Sequence, residues 1–347
     1  MNFNQSNIKK AKKYLDKNHC VAVPTETVYG LAANAYSNLA TKKIFKLKKR
    51  PKNNPLIVHY SSIKDLRKDC LINDSFIKLY KKFSPGPITY LLELKKDSKI
   101  SKNVTNKGSN LAVRFPKHKL FRELLKQLDY PLAAPSANIS TRLSAVQAND
   151  VKEEFGDGIK FILDGGKCNI GLESTIIHLT NKPTILRLGG LNVSKIEKVL
   201  GKKIGININS NIKIVPGQLH LHYSPGIPLR MNIKKPKPNE AFVLIRKRKM
   251  NLHNYYYLTK KNNLNEAAKN LYSCLRIFIR FIKDNSISTR SSKSNGFLYP
   301  INSFTRALGD KSLGRPINLK SLGQSHSPLC MISHFITSPH ARSFTAL

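Results

Sequence analysis

The feature that most constrains this fold is the alternation of short apolar runs with helical patterns along the first 200 residues. Residues 55–60 form a continuous apolar run that is typical of a buried strand. Residues 41–48 place apolar side chains among lysines at helical spacing, and Arg50-Pro51 ends that pattern. Alternating strands and helices predict an α/β fold, with a sheet that is covered by helices.

A change of composition after Gly201 indicates a second unit. Residues 216–228 contain three prolines and two glycines among polar residues, which is typical of a linker. Beyond them a strand is predicted at 240–245 and a helix at 265–281. We therefore predict a first α/β domain at 1–205, a linker at 206–230, a smaller domain at 231–284 and a serine-rich tail without a recognisable fold at 285–347.

The charge of the chain favours polyanionic partners. Lysine and arginine outnumber aspartate and glutamate by 60 to 20, which gives a formal net charge of +40. The same excess also arises when a lysine-rich composition simply covers the surface, so charge alone does not choose between these interpretations.

The sequence also predicts a cytoplasmic protein that does not enter a membrane. The five cysteines are scattered without a C-x-x-C pair, which argues against a zinc cluster or a disulfide framework. The N-terminus lacks the apolar core of a signal peptide, and no run reaches the ~18 apolar residues of a membrane span.

Three polar clusters lie at strand ends or in the adjoining loops, where open α/β sheets place ligand sites: residues 24–30, 48–59 and 133–138. Each has an ordinary structural interpretation. The first fits a plain turn, the cations of the second fit the end of a helix, and His59 fits a buried core position. No G-x-x-x-x-G-K-[ST] motif occurs, so the sequence predicts no P-loop.

Taken in order and spacing, these clusters resemble the YrdC/Sua5 family. The matches are Pro24-Thr-Glu-Thr-Val-Tyr-Gly-Leu31, Lys48-x-Arg50-Pro, Asn54-Pro-Leu-Ile-Val-His59, Ser84-Pro-Gly-Pro87-x-Thr89, Leu111-Ala-Val-Arg114-x-Pro116, Ala134-Pro-Ser-Ala-Asn138, Asp164-Gly-Gly166, Glu173-Ser-Thr-Ile176 and Ile185-Leu-Arg187. The resemblance covers residues from about 5 to 201.

This resemblance implies an open twisted sheet flanked by helices, forming a concave basic cleft. Residues 216–225 are similar to the linker of the longer, Sua5-type members. The chain is thus expected to carry a small Rossmann-like Sua5 domain after the linker.

The activity that the resemblance implies is that of a threonylcarbamoyl-AMP synthase, a nucleotidyltransferase. Family members convert L-threonine, bicarbonate (or CO2) and ATP to threonylcarbamoyl-adenylate and pyrophosphate. A partner machinery then transfers the threonylcarbamoyl group to adenosine 37 of tRNA. Mg2+ is expected to be held mainly by the ATP phosphates, with no protein metal ligands.

The family's site residues carry over by motif. Threonine is expected at Thr27, His59, Arg114 and Ser174. ATP is expected at Lys48, Arg50, Asn54, Ser136, Asn138, Ser144, Arg187 and Tyr223. Lys48 and Arg50 are expected to act electrostatically, and no residue is predicted to be a nucleophile. Thr25 is the alternative to Thr27, and Asn138 has the alternative role of ordering its loop.

The resemblance stops after Arg276 in the second domain. Our hypothesis is that residues from about 277 onward are translated in a shifted frame or are otherwise non-homologous, which would leave that domain truncated.

Two other functions fit parts of the sequence. A carbamoyl-transfer relative from hydrogenase maturation would carry zinc-finger-like and acylphosphatase parts, and none is found here. A non-catalytic protein that binds double-stranded RNA or tRNA fits the net charge, but no RRM-like or KH-like signature supports it.

Overall fold

The computed structural model describes residues 5–207, 215–216, 223–226, 241–246 and 255–284. The described helices are α1 (Gln5–Asp16), α2 (Asn38–Lys48), α3 (Ile63–Leu66), α4 (Asp74–Phe83), α5 (Lys102–Thr105), α6 (Lys119–Lys126), α7 (Ala148–Phe155), α8 (Val193–Leu200) and α9 (Leu264–Asp284). The described strands are β1 (Val21–Val23), β2 (Gly30–Asn34), β3 (Ile57–His59), β4 (Ile88–Glu93), β5 (Asn110–Arg114), β6 (Leu132–Ala133), β7 (Phe161–Ile162), β8 (Thr175–His178), β9 (Thr184–Arg187), β10 (Gly205–Ile206), β11 (Phe242–Arg246) and β12 (Tyr255–Thr259).

The first ten strands form one mixed sheet in the order β10-β9-β8-β4-β5-β3-β6-β2-β1-β7. Parallel and antiparallel pairs alternate from β10 to β3, and the next three pairs, β3–β6, β6–β2 and β2–β1, are all antiparallel. The predicted α/β fold, an open twisted sheet flanked by helices, is confirmed.

Helices cover this sheet because their apolar residues recur at helical spacing. On α6, Phe121, Leu124 and Leu125 are buried together with Ile8 and Leu15 of α1 against the β1 side of the sheet. Each such side chain contributes roughly 1.5–3 kcal/mol when it is fully buried. Burial of these apolar side chains therefore stabilises the packing of the helices on the sheet.

The strand register brings polar residues to one edge of the sheet. Strand β3 pairs in parallel with β5, so their last residues, His59 and Arg114, lie side by side. Strand β4 runs antiparallel to β5 and places Thr89 opposite Arg114. Strand β8 pairs in parallel with β4, and this brings Ser174, the residue before β8, to the same place.

The second unit consists of the parallel pair β11–β12 and the long helix α9. Buried residues of α9, including Leu271 and Tyr272, belong to the same hydrophobic cluster as residues of the first domain. The helix predicted at 265–281 extends to Asp284, past Arg276. Among the described helices, none combines the length and apolar character that crossing a bilayer requires.

The predicted domain boundaries fall partly outside the described residues. The tail predicted at 285–347 and most of the linker predicted at 206–230 lie there. The elements that the sequence did not predict are β2, α5, α7, β10 and β12.

Candidate active site

A cleft opens where the last residues of β3 and β5 lie near the first residues of β8. Its walls combine charged, hydroxyl and apolar side chains. The lining residues are Thr25, Val28, Tyr29, Gly30, Arg50, Ile57, His59, Arg114, Ala134, Pro135, Ser136, Glu173, Ser174, Arg187, Pro216 and Tyr223.

One end of the cleft is built around Arg114. Its Nη2 atom donates to Glu26 Oε1 at 2.7 Å and to Thr27 Oγ1 at 2.8 Å. Arg114 and Glu26 are both buried, and together they form a salt bridge. Burial by itself would raise the pKa of Glu26, but Arg114 and the Lys117 N–H lower it below its usual value. The pair is therefore ionised at neutral pH.

The two threonines of this loop have different positions. Thr25 lines the cleft, whereas Thr27 is fully buried behind it. The Thr25 hydroxyl donates to the Val28 carbonyl at 2.6 Å, so the 2.8 Å contact between the hydroxyls is donated by Thr27. Thr27 thus supports Arg114, and Thr25 is the threonine that the cleft exposes.

His59 lies beside Arg114 and is almost completely buried. Burial, and next the charge of Arg114, lower the pKa of His59 to about 3. Its ring packs on Phe121 with centroids 5.4 Å apart. His59 is therefore a neutral wall of the cleft near pH 7.

Ser174 and Arg187 continue the wall on the far side of Arg114. The Ser174 hydroxyl is 2.7 Å from Thr89 Oγ1, and Arg187 Nη2 donates to Ser174 Oγ at 3.0 Å. Arg187 also donates to the Ser174 carbonyl and to the Pro216 carbonyl. These bonds join the strand edge to the short described part of the linker.

The Lys48-x-Arg50 pattern is produced by the end of α2. Lys49 adopts a left-handed conformation with φ 49°. Its N–H bonds the Lys46 carbonyl, and the Arg50 N–H bonds the Phe45 carbonyl at 2.9 Å. This is the hydrogen-bond pattern of a Schellman motif. Because the chain turns at Lys49, Lys48 and Arg50 are both buried while Lys49 is exposed.

Arg50 is held by the loop that follows it. It donates to Asn54 O at 3.0 Å, to Asn54 Oδ1 at 2.6 Å and to Pro55 O at 2.8 Å. Burial lowers the pKa of Arg50 to about 9, with Tyr223 opposing and Arg187 adding to the shift. The guanidinium is thus a positioned cation in the cleft wall, and Asn54 is its support.

Lys48 does not line the cleft but holds the loop that does. Its ammonium donates to the carbonyls of Ser136, at 2.6 Å, and of Asn138. Burial, and next Arg50, lower the pKa of Lys48 well below its usual value, whereas Glu154 and Glu173 raise it. Lys48 is therefore a structural link between α2 and the Ser136 side of the cleft.

Asn138 likewise orders this loop. Its amide donates to the carbonyls of Ile139 and Arg142, both at 2.8 Å. Gly30 allows the loop to lie close to β2, because a Cβ at residue 30 would lie 3.2 Å from the Ala134 Cβ. Ser136, next to these residues, does line the cleft.

Glu173 is a wall residue that the sequence prediction missed. Its carboxylate accepts from the Ser144 hydroxyl and, at 3.0 Å, from the Tyr272 hydroxyl of α9. The Tyr272 ring stacks on Tyr223 with centroids 5.9 Å apart. The second unit therefore contacts the cleft wall through one tyrosine.

The predicted site residues divide into two groups. The cleft wall contains His59, Arg114, Ser174, Arg50, Ser136, Arg187 and Tyr223. The residues just behind that wall, bonded to it, are Thr27, Lys48, Asn54, Asn138 and Ser144. Glu26, Glu173 and Tyr272 were not predicted. Glu26 and Glu173 stand inside the motifs that pointed to the site, and this position was the signal available.

The described residues contain no group of three or more histidine, cysteine, aspartate or glutamate side chains that could hold a metal ion. A divalent cation with few protein ligands is normally held by substrate phosphates and water. The donor set of the cleft therefore does not fit an all-protein Mg2+ site.

Comparisons with known proteins agree with this geometry. The Sua5/YciO/YrdC family model, described as "Telomere recombination", matches residues 13–189. The model described as "Threonylcarbamoyl-AMP synthase, C-terminal domain" matches residues 191–290. The prediction that the resemblance ends after Arg276 is therefore wrong.

Similar proteins include the threonylcarbamoyl-AMP synthase of Bacillus subtilis, 35% identical over 79% of this chain and 85% of that protein. The threonylcarbamoyl-AMP synthase of Pyrococcus abyssi is 42% identical over 63% of this chain, and the match spans 66% of that protein.

A solved structure, that of P. abyssi Sua5 complexed with L-threonine, superposes with a TM-score of 0.72 at 34% identity. The superposition covers 79% of this chain and 85% of that one. The chain belongs to the Sua5/YciO/YrdC family, in the form that continues into the C-terminal Sua5 domain.

Proposed function

We propose that this protein is a threonylcarbamoyl-AMP synthase, which makes threonylcarbamoyl-adenylate and pyrophosphate from L-threonine, bicarbonate or CO2, and ATP. The names of its relatives support this activity. The observation that carries the proposal is a single cleft with two unlike ends. A balanced Arg114–Glu26 pair stands at one end, and Arg50 and Arg187 stand at the other.

The Arg114 end suits the amino acid. A guanidinium binds a carboxylate through charge-assisted hydrogen bonds, and Arg114 lines the cleft. The Ser174 hydroxyl lies in the same wall, and so does the Thr25 side chain, whose hydroxyl donates to the Val28 carbonyl. A relative has been crystallised with L-threonine, which agrees with an amino-acid subsite in this fold.

The Arg50 end suits the triphosphate. The hydrogen bonds of Arg50 and Arg187 run to oxygen atoms of carbonyl, amide and hydroxyl groups, and the described residues give neither a carboxylate partner. Because neither guanidinium is paired with a carboxylate in this part of the chain, both can attract phosphate oxygens. Tyr223 lies in the same wall and would close on the nucleotide.

The chemistry then needs alignment more than a reactive side chain. The threonine amine, once it has lost a proton from its ammonium form, attacks the carbon of CO2 with release of a further proton, or that of bicarbonate with loss of water, and forms a carbamate. A carbamate oxygen next attacks the α-phosphorus of ATP, and the bond to the β-phosphate oxygen breaks to release pyrophosphate. Arg50 and Arg187 would balance the developing phosphate charge, and the narrow cleft would hold the reactants together. Any Mg2+ would enter with the phosphates of ATP.

The product is expected to pass to a downstream machinery that modifies adenosine 37 of tRNA. ATP and tRNA are both cytoplasmic, so we place the reaction in the cytoplasm. Direct tRNA binding remains a proposal supported by the net charge of +40.

The test is pyrophosphate release by the full-length protein with ATP, L-threonine and bicarbonate, in the absence of RNA. Release that depends on all three substrates is expected. Arg114→Ala should raise the threonine KM by about 100-fold, because a charge-assisted contact to the carboxylate is lost. Arg67→Ala makes the same chemical change at an exposed position and serves as the control.

An unchanged threonine KM in Arg114→Ala would remove Arg114 from the site. Tight, salt-sensitive tRNA binding without any turnover would instead support the RNA-binding protein.

A further inference from the structure

Glu26 is a buried carboxylate that contacts the cleft residue Arg114. It lies in the loop between β1 and β2, and only 6% of its surface is exposed. Its Oε1 accepts from Arg114 Nη2 at 2.7 Å, and its Oε2 accepts from the Lys117 N–H at 2.8 Å. Both oxygens therefore bind groups at or just beyond the end of β5.

These bonds fix one half of the Arg114 guanidinium. Nη2 is shared between Glu26 and Thr27, so the rotation of the side chain is set by the β1–β2 loop. Arg114 also lines the cleft, and both of its side-chain hydrogen bonds within the described residues come from Nη2. The side of the guanidinium that faces the cleft is therefore the part that a ligand would meet.

The same contact sets the charge of this end of the cleft. A buried arginine next to a buried carboxylate is balanced, and removing one partner leaves the other uncompensated. With Glu26 ionised, the Arg114 end suits a zwitterion. Without that charge it becomes a second cationic end, which would also attract phosphate.

We infer that Glu26 is a positioning residue for the amino-acid substrate. It acts through Arg114, whose guanidinium it orients toward the substrate carboxylate and whose excess charge it cancels, so that this end admits a zwitterion and rejects polyanions. This inference rests on the proposed function.

The test is Glu26→Gln in the full-length protein. Glutamine keeps the size of the side chain but loses the charge, and its amide nitrogen cannot accept from a donor. We expect the threonine KM to rise tenfold or more, about the loss of one charge-assisted hydrogen bond, with the ATP KM changed less than about threefold. Inorganic pyrophosphate should become a competitive inhibitor against threonine.

Asp69→Asn is the matched control. Asp69 is equally buried and accepts from the hydroxyls of Tyr36 and Tyr60, both at 2.9 Å, and of Ser98 at 2.7 Å. It does not line the cleft. This change should lower the Tm and leave the threonine KM and pyrophosphate inhibition unchanged.

A double mutant separates positioning from a general structural role. If Glu26 acts through Arg114, adding Glu26→Gln to Arg114→Gln should not raise the threonine KM further. Full additivity, or an equal rise of the threonine and ATP KM values, would overturn the inference. Glu26→Asp keeps the charge but shortens the side chain, and it replaces the glutamine variant if that variant does not fold. Because the charge is kept, pyrophosphate should inhibit Glu26→Asp no more than it inhibits wild type.

The two proposals fail in different ways. A wild-type protein without threonine-dependent turnover would refute the proposed function, and calorimetric threonine binding to wild type and Glu26→Gln would still test the role of Glu26. An active wild type whose Glu26→Gln variant keeps the threonine KM would refute only the role of Glu26.

Discussion

The two ends of the cleft differ in how their cations are balanced. At one end Arg114 is salt-bridged to Glu26 at 2.7 Å. At the other end Arg50 and Arg187 bond only neutral oxygen atoms in the described part of the chain. Arginine is thus salt-bridged to a carboxylate at one end and bonded to neutral oxygen atoms at the other, where the Glu173 carboxylate of the cleft wall bonds Ser144 and Tyr272 instead.

Under the proposed function, this difference would let one cleft distinguish two substrates. A zwitterionic amino acid carries no net charge and would fit the balanced end, whereas a triphosphate needs counter-charge and would fit the cationic end. The carboxylate that marks the balanced end is one of only 20 acidic residues in a chain with 60 basic ones. Selective placement of a few acids, and not the abundance of bases, shapes the site.

The largest effect that tests this comparison is expected for Arg50→Ala. The variant loses a positioned cation from the cationic end, and the ATP KM should rise about 100-fold. Threonine binding in the absence of ATP should stay within about twofold, which calorimetry measures. Lys46→Ala removes an exposed cation from α2, four residues before Arg50, and should change neither. An equal loss of threonine affinity in Arg50→Ala would show that the two ends are not independent.

A smaller effect is expected for Tyr272→Phe. The change removes the hydroxyl that donates to Glu173 at 3.0 Å but keeps the ring that stacks on Tyr223. A lost neutral-to-carboxylate hydrogen bond of about 1 kcal/mol should raise the ATP KM roughly fivefold and leave the threonine KM unchanged. Tyr256→Phe, whose ring meets Phe278 in the same unit, is the control. A rise in the threonine KM without a rise in the ATP KM would contradict a role of Glu173 at the ATP end of the cleft.

The smallest effect on substrate binding is expected for pH, through His59. Its pKa is lowered to about 3 by burial and by Arg114, so it stays neutral in the folded protein. The threonine KM should therefore show no step near pH 6.5. Below that pH the unfolded state binds a proton that the folded state does not. Stability should thus fall with decreasing pH by up to about 1.4 kcal/mol per unit.

His59→Gln should make that stability slope shallower, as measured by denaturant unfolding between pH 4 and 7. A step in the threonine KM at pH 6.5 that disappears in the variant would show that His59 is charged in the cleft.

The fold could be predicted where apolar periodicity is strong. The helix predicted at 41–48 and the strand predicted at 55–60 correspond to α2 and β3. Strand β2 was missed because its residues are small and follow a polar loop. Strand β12, with its three consecutive tyrosines, was missed because it lacks alternation.

The sequence predicted which segments form the site more readily than which side chains line the cleft. Motif order identified Lys48 and Arg50 together, but only the left-handed turn at Lys49 decides which one reaches the cleft. Thr25 and Thr27 are two residues apart, and their hydrogen bonds alone separate a wall residue from a supporting one. Such differences depend on tertiary contacts that no local pattern records.

The burial of Lys48 has a consequence for chemical labelling. Lys48 is 1% exposed and its amine donates to two backbone carbonyls, whereas every other lysine that the structure describes is partly or fully exposed. An amine-reactive reagent should thus modify the surface lysines quickly and reach Lys48 only when α2 and the Ser136 loop separate. The modification rate of Lys48, followed by mass spectrometry, therefore measures how often the fold around the cleft opens.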